Sequence, residues 1–350
     1  MSPATITSIG RVPALWNNQS IGPREDWDQC ISKQPKWIQT RLQGVHFFTS
    51  NGYYDERIIK DAMMKDKYLL LVTDGSLKYI HMMSFGWVLA TPSGKWLAAS
   101  KGPGSGEGSS LRAEAEGMLS GALCCGVIAK DVRLPNFNIT YICDNNDLIR
   151  NCEDRLTYNN PFPNTTLRPE FDLIDEIYKV NKKYNIQPYF QWIKGHQDDL
   201  TEYEDLSTDA KLNIEADRMA KEYNREQGRI QLDPDDDMDP SNTAALFIKG
   251  SMVTSRYYDR LVETYSEMRY MSYLQRRFVW HEDTIQSIAW KSFKDAINII
   301  DCPVVITKLS NRILAVNLIQ KRRKHRVSAK CKHCDSIETV SHLYHCNTKS

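Results

Sequence analysis

Tyr68-Leu-Leu-Leu-Val-Thr73 is a short apolar run that breaks off at Asp74-Gly75-Ser76. An aliphatic run of this length, bounded by turn residues, predicts a buried strand. Met83 to Ala90 and Lys95 to Ser100 read as two more strands. The turn residues Thr91-Pro-Ser-Gly94 should join them as a hairpin. A Gly-rich loop, Gly102 to Ser110, leads into a helix from Leu111 to Ala129, capped by Ser109 or Ser110. Asn138 to Cys143 is a fourth strand, followed by a short helix from Asn145. Pro169 to Tyr184 is an amphipathic helix, Pro188 to Ile193 a fifth strand, and Asp209 to Glu226 a closing helix. An antiparallel meander followed by strand–helix alternation predicts a mixed α/β fold, a five-stranded sheet with flanking helices.

Around this domain, residues 66–229, the chain changes character. Residues 1–65 form an N-terminal helical extension: 1–23 are polar and irregular, and two helices follow, broken near Pro35. Trp27, Ile31, Trp37, Ile38 and Leu42 supply their apolar surface. Residues 230–243 are an acidic, Pro-bounded linker. Its Asp cluster lacks the Gly and the terminal Glu of a calcium loop. Residues 244–350 read as mainly helical, with Trp280, Ile285, Ile288 and Trp290 as core. The basic run Lys321-Arg-Arg-Lys-His-Arg326 and a Cys/His cluster close the chain.

The 350 residues are 41% hydrophobic and 25% charged, which suits a globular chain with a sizeable core. No apolar run reaches the roughly 18 residues of a membrane span. Met1 to Ser20 lacks a basic segment followed by an apolar one, so it does not read as a secretion signal. The 9 cysteines are too sparse for a disulfide scaffold. An intracellular protein, nuclear or cytoplasmic, is expected, and the sequons at Asn138 and Asn164 read as chance matches. The net charge of +1 hides an asymmetry. Residues 241–350 carry 18 Lys+Arg against 9 Asp+Glu, a net of +9, so the first 240 carry −8. A basic end beside an acidic body fits polyanion binding at one end and clustered carboxylates at the other.

Four acids fall where such sheets present chemistry. Asp74 ends the first strand, Glu114 lies in the first turns of the following helix, Asp144 ends the fourth strand, and Asp217 lies in the closing helix. Crevices in α/β sheets form at strand ends. Carboxylates packed together repel and raise one another's pKa, an arrangement that divalent cations stabilise. Gly117, Met118, Gly121 and Ala122 give the Glu114 helix a face of mostly small residues that can lie close on the sheet. Gly75 would let a polymer backbone approach.

These motifs resemble the type 1 ribonuclease H family, and especially the ribonuclease H domains of retroelement polyproteins. The match rests on Thr73-Asp74-Gly75-Ser76, Arg112-Ala113-Glu114, the strand ending in Asp144, Trp192-Ile-Lys-Gly-His196, and the Asn213, Asp217, Ala220 helix, in the family's order. It covers about residues 68–226. The resemblance implies a ribonuclease H-like sheet and an endonuclease that hydrolyses the RNA strand of an RNA–DNA hybrid, leaving 5′-phosphate and 3′-hydroxyl ends. It implies two Mg²⁺ ions, with Mn²⁺ as a substitute, on Asp74, Glu114, Asp144 and Asp217. His196 would assist proton transfer or product release. Gly75, Ser76, Ser110 and Asn146 match positions near substrate. Glu116 and Glu215 are additional acids that could compete for these roles. The Asn- and Pro-rich segment Asp154 to Thr166 stands where a basic, substrate-gripping helix would otherwise be. The alternative is a catalytically inactive, nucleic-acid-binding retroelement remnant.

Other readings fit less well. Gly102-Pro-Gly-Ser-Gly-Glu-Gly108 lacks both the P-loop ending and the dinucleotide fingerprint. Integrase-type Asp, Asp, Glu spacing fails, since position 179 is Lys, and Asp74-Gly75-Ser76 is not the Asp-x-Glu of proofreading exonucleases. No Tyr-x-Asp-Asp hairpin is present, so a reverse transcriptase partner would lie outside this sequence. Cys331-Lys-His-Cys334 followed by His342 and Cys346 fits one tetrahedral Zn²⁺, with His345 as a competing ligand. A similar element follows the ribonuclease H domain in many retroelement proteins. With the basic run, it suggests a nucleic-acid or scaffold role.

Overall fold

Alternate residues of one strand enter two different cores, and that decides where the acids point. A computed structural model of the chain describes residues 25–49, 54–66, 68–79, 82–106, 108–134, 136–226, 246–248, 250–290 and 314–346, with single positions 292, 295, 304 and 308. The irregular residues 1–23 and the linker at 230–243 lie outside them. The chain divides into two compact units, Met1–Thr264 and Tyr265–Ser350.

The first unit runs α1 (Glu25–Ser32), α2 (Lys36–Leu42), β1 (His46–Phe47), α3 (Glu56–Lys65), β2 (Leu69–Tyr79), β3 (Met82–Ala90), β4 (Trp96–Pro103) and α4 (Ser110–Asp131). It continues through β5 (Phe137–Cys143), α5 (Asn146–Leu156), α6 (Phe171–Lys183), β6 (Ile186–Trp192) and α7 (Thr208–Glu226). Six strands form one sheet in the order β1-β4-β3-β2-β5-β6. β2, β5 and β6 are parallel, whereas β1, β3 and β4 join antiparallel. The expected mixed α/β sheet with flanking helices is therefore present, with a sixth strand at its edge. β1 has two residues, too few to carry a period-two signal, and it forms because β4 offers an open edge.

On β2, Leu69 and Leu71 join the core beneath α4, while Leu70 and Val72 join a smaller core beneath α7. Both faces are covered, so the strand reads as a continuous apolar run rather than an alternation. α4 lies unusually close. Side chains at Gly117 and Gly121 would strike Thr73 and Leu71. Two strand residues advance about 6.6 Å and four helix residues about 6 Å, so this pairing stays in step along the contact. Ser109 is the cap of α4, accepting from the Arg112 N–H at 3.0 Å.

The N-terminal helices belong to the same core. Trp27, Ile31, Trp37, Ile38 and Leu42 are buried with the α4 face of the sheet. Arg41 on α2 forms a buried ion pair with Glu116 of α4 at 2.9 Å.

The stretch after the linker was expected to be mainly helical. Instead β7 (Leu246–Ile248) and β8 (Ser251–Val253) pair antiparallel around Gly250, whose φ of +82° suits a tight turn. Phe247, Ile248, Val253 and Thr254 favour strand, which a helical reading overlooked. α8 (Tyr257–Phe278) follows. The second unit contains α9 (Glu282–Gln286), α10 (Asn317–Arg322) and α11 (His342–His345). Ile285 is buried there, while Trp280, Ile288 and Trp290 are half-buried. Among the described residues no helix is long and apolar enough to cross a membrane.

Candidate active site

The β2–β5 register ends its pairing at Val72 opposite Ile142. Two residues further along each strand stand Asp74 and Asp144. Strand alternation sends both to the α7 side of the sheet, where Asp217 lies. Cys143, one residue earlier, points to the α4 side, where Glu114 lies. Burial pushes the Asp74 carboxyl well above its ordinary range. The neighbouring charges of Asp144, Asp217 and Glu114 push it further, and the Gly75 N–H, donating at 2.6 Å, opposes them. Asp74 thus feels the charge of all three other acids.

Glu114 is held at both oxygens. The Cys143 S–H donates to Oε2 at 2.7 Å, and Asn145 Nδ2 donates to Oε1 at 3.3 Å. Asn145 also caps α5 through the N–H groups of Asp147 and Leu148. Burial raises Glu114 to about 7 despite these bonds, and Asp144 adds to the rise. Burial also raises Asp144, against the opposing pull of His196 and a hydrogen bond from Asn213. Burial likewise pushes the Cys143 thiol up, so it stays a donor. Asn213 is 4% exposed and its Oδ1 has no partner. Asp217 pairs with Lys221 at 2.6 Å.

His196 is exposed and has a φ of +50°. Its neighbour Gly195 lies so close to Asp144 that any side chain there would strike the carboxylate. Trp192 reaches the same residue, its Nε1 donating to the Asp144 carbonyl at 2.8 Å. Ser76 is half-buried on β2, while Ser110 and Asn146 are exposed at the first residues of α4 and α5. The direction in which a Gly75 side chain would point is filled by Ala113 and the Glu114 N–H. The lack of a side chain there serves helix docking.

The two additional acids lie outside this cluster. Burial alone would raise Glu116, but Arg41 and Arg112 outweigh it and hold it below its ordinary range. Its oxygens accept from Arg41 at 2.9 and 3.1 Å and from the Ser105 hydroxyl. Glu215 pairs with Arg218 at 2.9 Å. Arg112 is buried against Glu170 at 3.0 Å and Asp172 at 2.9 Å, a packing role. Sequence reasoning missed Cys143 and Asn145 as holders of Glu114 and Asn213 as a partner of Asp144. The odd position of Cys143 on β5 was the available signal for the first.

A second cluster sits in Tyr265–Ser350. Donor atoms of Cys331, Cys334, His342 and Cys346 all lie within 4.8 Å of one another. Sγ of Cys346 is 4.0 Å from Cys331 and 3.8 Å from Cys334, and Cys334 Sγ is 3.2 Å from His342 Nε2. Tetrahedral Zn–S bonds of about 2.3 Å place sulfurs about 3.8 Å apart, which this set matches. The exposed His345 is not part of it. A short turn shapes the cluster: Cys331 N–H donates to Ser336 O at 2.7 Å, and Glu338 N–H to Ala329 O at 2.9 Å. Asn317 braces it, donating to Lys330 O at 2.8 Å and Glu338 Oε2 at 2.9 Å. The basic run, residues 321–326, is exposed.

No protein-family model and no curated protein matches the sequence. Among solved structures, the chain is similar to the N-terminal RNase H domain of a Mycobacterium tuberculosis protein, at 16% identity and a TM-score of 0.30, covering 45% of this chain and 99% of that one. RNase H1 from the archaeon Halobacterium salinarum gives 13% identity and a TM-score of 0.31, over 44% and 96% of the two chains. The RNase H domain of PFV gives 20% and 0.32, over 46% and 97%.

Proposed function

We propose that this chain is a metal-dependent endonuclease that hydrolyses the RNA strand of RNA–DNA hybrids. The observation that carries the reading is the gathering of Asp74, Glu114, Asp144 and Asp217, with burial and mutual repulsion raising three of them. Asp74 lies within β2, which runs on past the expected strand end to Tyr79, Asp144 just after β5, and the other two on α4 and α7. Among the described residues the one lysine or arginine paired with these acids is Lys221. Such a set of oxygen donors fits two Mg²⁺ ions, or Mn²⁺ in their place. When bound, the ions supply charge neutralisation, an activated water and a clamp on the phosphodiester oxygens.

The chain's own groups do the rest. Cys143 and Asn145 fix the Glu114 carboxylate, and Asn213 holds Asp144. His196, exposed beside Asp144, can take or give a proton at the cleft mouth. Ser76, Ser110 and Asn146 are assigned to the hybrid's backbone and sugars, and the 2′-hydroxyl distinguishes RNA from DNA. Residues 66–229 would be the catalytic part and 1–65 its helical extension. The basic residues 244–350, beyond the linker at 230–243, would supply nucleic-acid affinity. The Cys331, Cys334, His342 and Cys346 donors fit Zn²⁺, which would hold that end of the chain together. Retroelement origin, with a reverse transcriptase as partner, accords with this reading.

The test is cleavage of labelled RNA–DNA hybrid in Mg²⁺, with duplex DNA and duplex RNA as controls. Cleavage of the hybrid's RNA strand alone supports the reading. Equal cutting of duplex DNA indicates a broader nuclease. Binding of hybrid without cutting, in both Mg²⁺ and Mn²⁺, overturns the hydrolase in favour of the inactive, binding form.

A further inference from the structure

One side chain in the carboxylate cluster is chemically unlike the others. Cys143 Sγ is fully buried, 2.7 Å from Glu114 Oε2, with the Asn145 N–H donating to it at 3.4 Å. Donor atoms of Glu114, Cys143 and Asp144 lie within 4.8 Å of one another. Asn213, bonded to Asp144, adds a buried amide oxygen with no partner. Mg²⁺ is a hard cation that takes oxygen and has little use for sulfur. A borderline or soft cation prefers a donor set that includes a thiolate.

We propose that Glu114, Cys143 and Asp144 form a mixed sulfur–oxygen site for a thiophilic divalent cation, Zn²⁺ or Cd²⁺, which competes with Mg²⁺ for the same carboxylates. The competition rests on the nuclease reading, but the site itself does not. As the metal–sulfur bond forms, the S–H bond breaks and its proton passes to solvent, so one cation replaces one proton at sulfur. The hydrogen bond from Cys143 to Glu114 is lost in the same step. The cation would replace that hydrogen bond as the link between sulfur and carboxylate, and its charge would offset the repulsion between Glu114 and Asp144. The site is separate from the Cys331, Cys334, His342 and Cys346 cluster, whose four donors are complete without Cys143.

The experiment titrates the full chain with Zn²⁺ against a large excess of Mg²⁺ and counts tightly bound zinc. Cys143→Ser should bind one equivalent fewer than the natural chain. Cys331→Ser/Cys334→Ser should keep that equivalent and still show a cobalt–thiolate absorption band when loaded with Co²⁺. Cys143→Ser should also need at least tenfold more Zn²⁺ to halve its own Mg²⁺-dependent rate. Equal zinc counts in the natural chain and Cys143→Ser overturn the proposal, as does a missing thiolate band in the double variant. The double variant leaves Cys143 untouched, so a folding defect in Cys143→Ser cannot mask the answer. A natural chain that fails to cut hybrid in Mg²⁺ defeats the nuclease reading alone, since zinc count and thiolate band are read without substrate.

Discussion

The molecule gathers metal-type ligands twice, by opposite means. The carboxylates come from positions 74, 114, 144 and 217, and only the sheet register and the docking of α4 and α7 bring them together. The cysteines and histidine come from positions 331 to 346, and a local turn suffices. The first cluster has a large core behind it, and its carboxylates are held close enough to repel one another. Among the described residues the second has few buried apolar neighbours, with Cys331 buried and its other donors half-buried. Its order should depend on the metal. Removing a ligand should therefore cost chemistry in one place and structure in the other.

The largest expected effect is at the first cluster. Asp144→Asn removes a charged donor and should lower hybrid hydrolysis by on the order of 10²-fold or more, a magnitude seen when one charge-stabilising group is lost. The melting temperature should hold or rise, because the lost charge repelled Asp74. A near-normal rate would take Asp144 out of the mechanism.

The scaffold behind those acids can be broken from a distance. Arg41→Ala takes the ion pair and two hydrogen bonds from buried Glu116, on the helix that carries Glu114, and leaves it the Ser105 hydroxyl and the charge of Arg112. Breaking one partner of a buried pair costs roughly 3–5 kcal/mol. Urea unfolding should show that loss, and Arg41→Ala/Glu116→Gln should recover part of it. A loss under about 1 kcal/mol would mean that α2 is a loose appendage.

Chelation should act the other way round. Stripping zinc, or Cys331→Ser, should speed amide exchange in residues 330–346 while exchange in β2 and β5 stays slow. Unchanged exchange at 330–346 would mark the cluster as four thiol and imidazole groups that need no ion.

How much of this could be read beforehand follows from the same contrast. The strands were legible because Leu69 to Val72 carry their burial in composition. The four acids could be picked out because each sits in a short motif, although Asp74 lies within a strand that runs on to Tyr79 and Asp217 lies in mid-helix. The Cys331 to Cys346 set was legible because its spacing is its structure. Partnerships across the fold were not. Glu116 reads like a candidate beside Glu114, and only the docking of α2, 75 positions away along the chain, removes it. Glu215 needed the Arg218 geometry for the same reason. Cys143 reads as one more apolar strand residue until its parity sets it against Glu114. β1 and the β7–β8 hairpin were too short to show a period against their surroundings.

A smaller effect concerns the exposed basic run. Converting Lys321, Arg322, Arg323 and Lys324 to Gln should weaken hybrid binding and flatten its dependence on salt. Each lost phosphate contact lowers the slope of log affinity against log salt by somewhat under one. An unchanged slope would leave the run without a role on nucleic acid.

The smallest expected effect is a pH dependence that differs in sign between the two clusters. Glu114 has an ordinary pKa of 4.5 and is raised by burial to about 7 in the folded chain. The folded state therefore holds this proton more tightly than the unfolded one. Where the folded state binds more protons, stability falls as pH rises. The fall should begin above 4.5 and be complete once the pH passes about 7. Asp74 shifts in the same direction. In chelator, the sheet unit should lose on the order of a few degrees of melting temperature between about pH 5 and about pH 8. Millimolar Mg²⁺ should flatten that slope, because bound cations would offset both the burial of these charges, the larger cause, and their mutual repulsion. Asp144→Asn should flatten it too, by removing one repelling charge. The zinc-loaded cluster should respond in reverse, since its thiolates compete with protons for the metal, so acidification should loosen residues 330–346. A melting temperature that rises with pH in chelator would show that the acids are solvated apart, and the repulsion assigned to the first cluster would be gone.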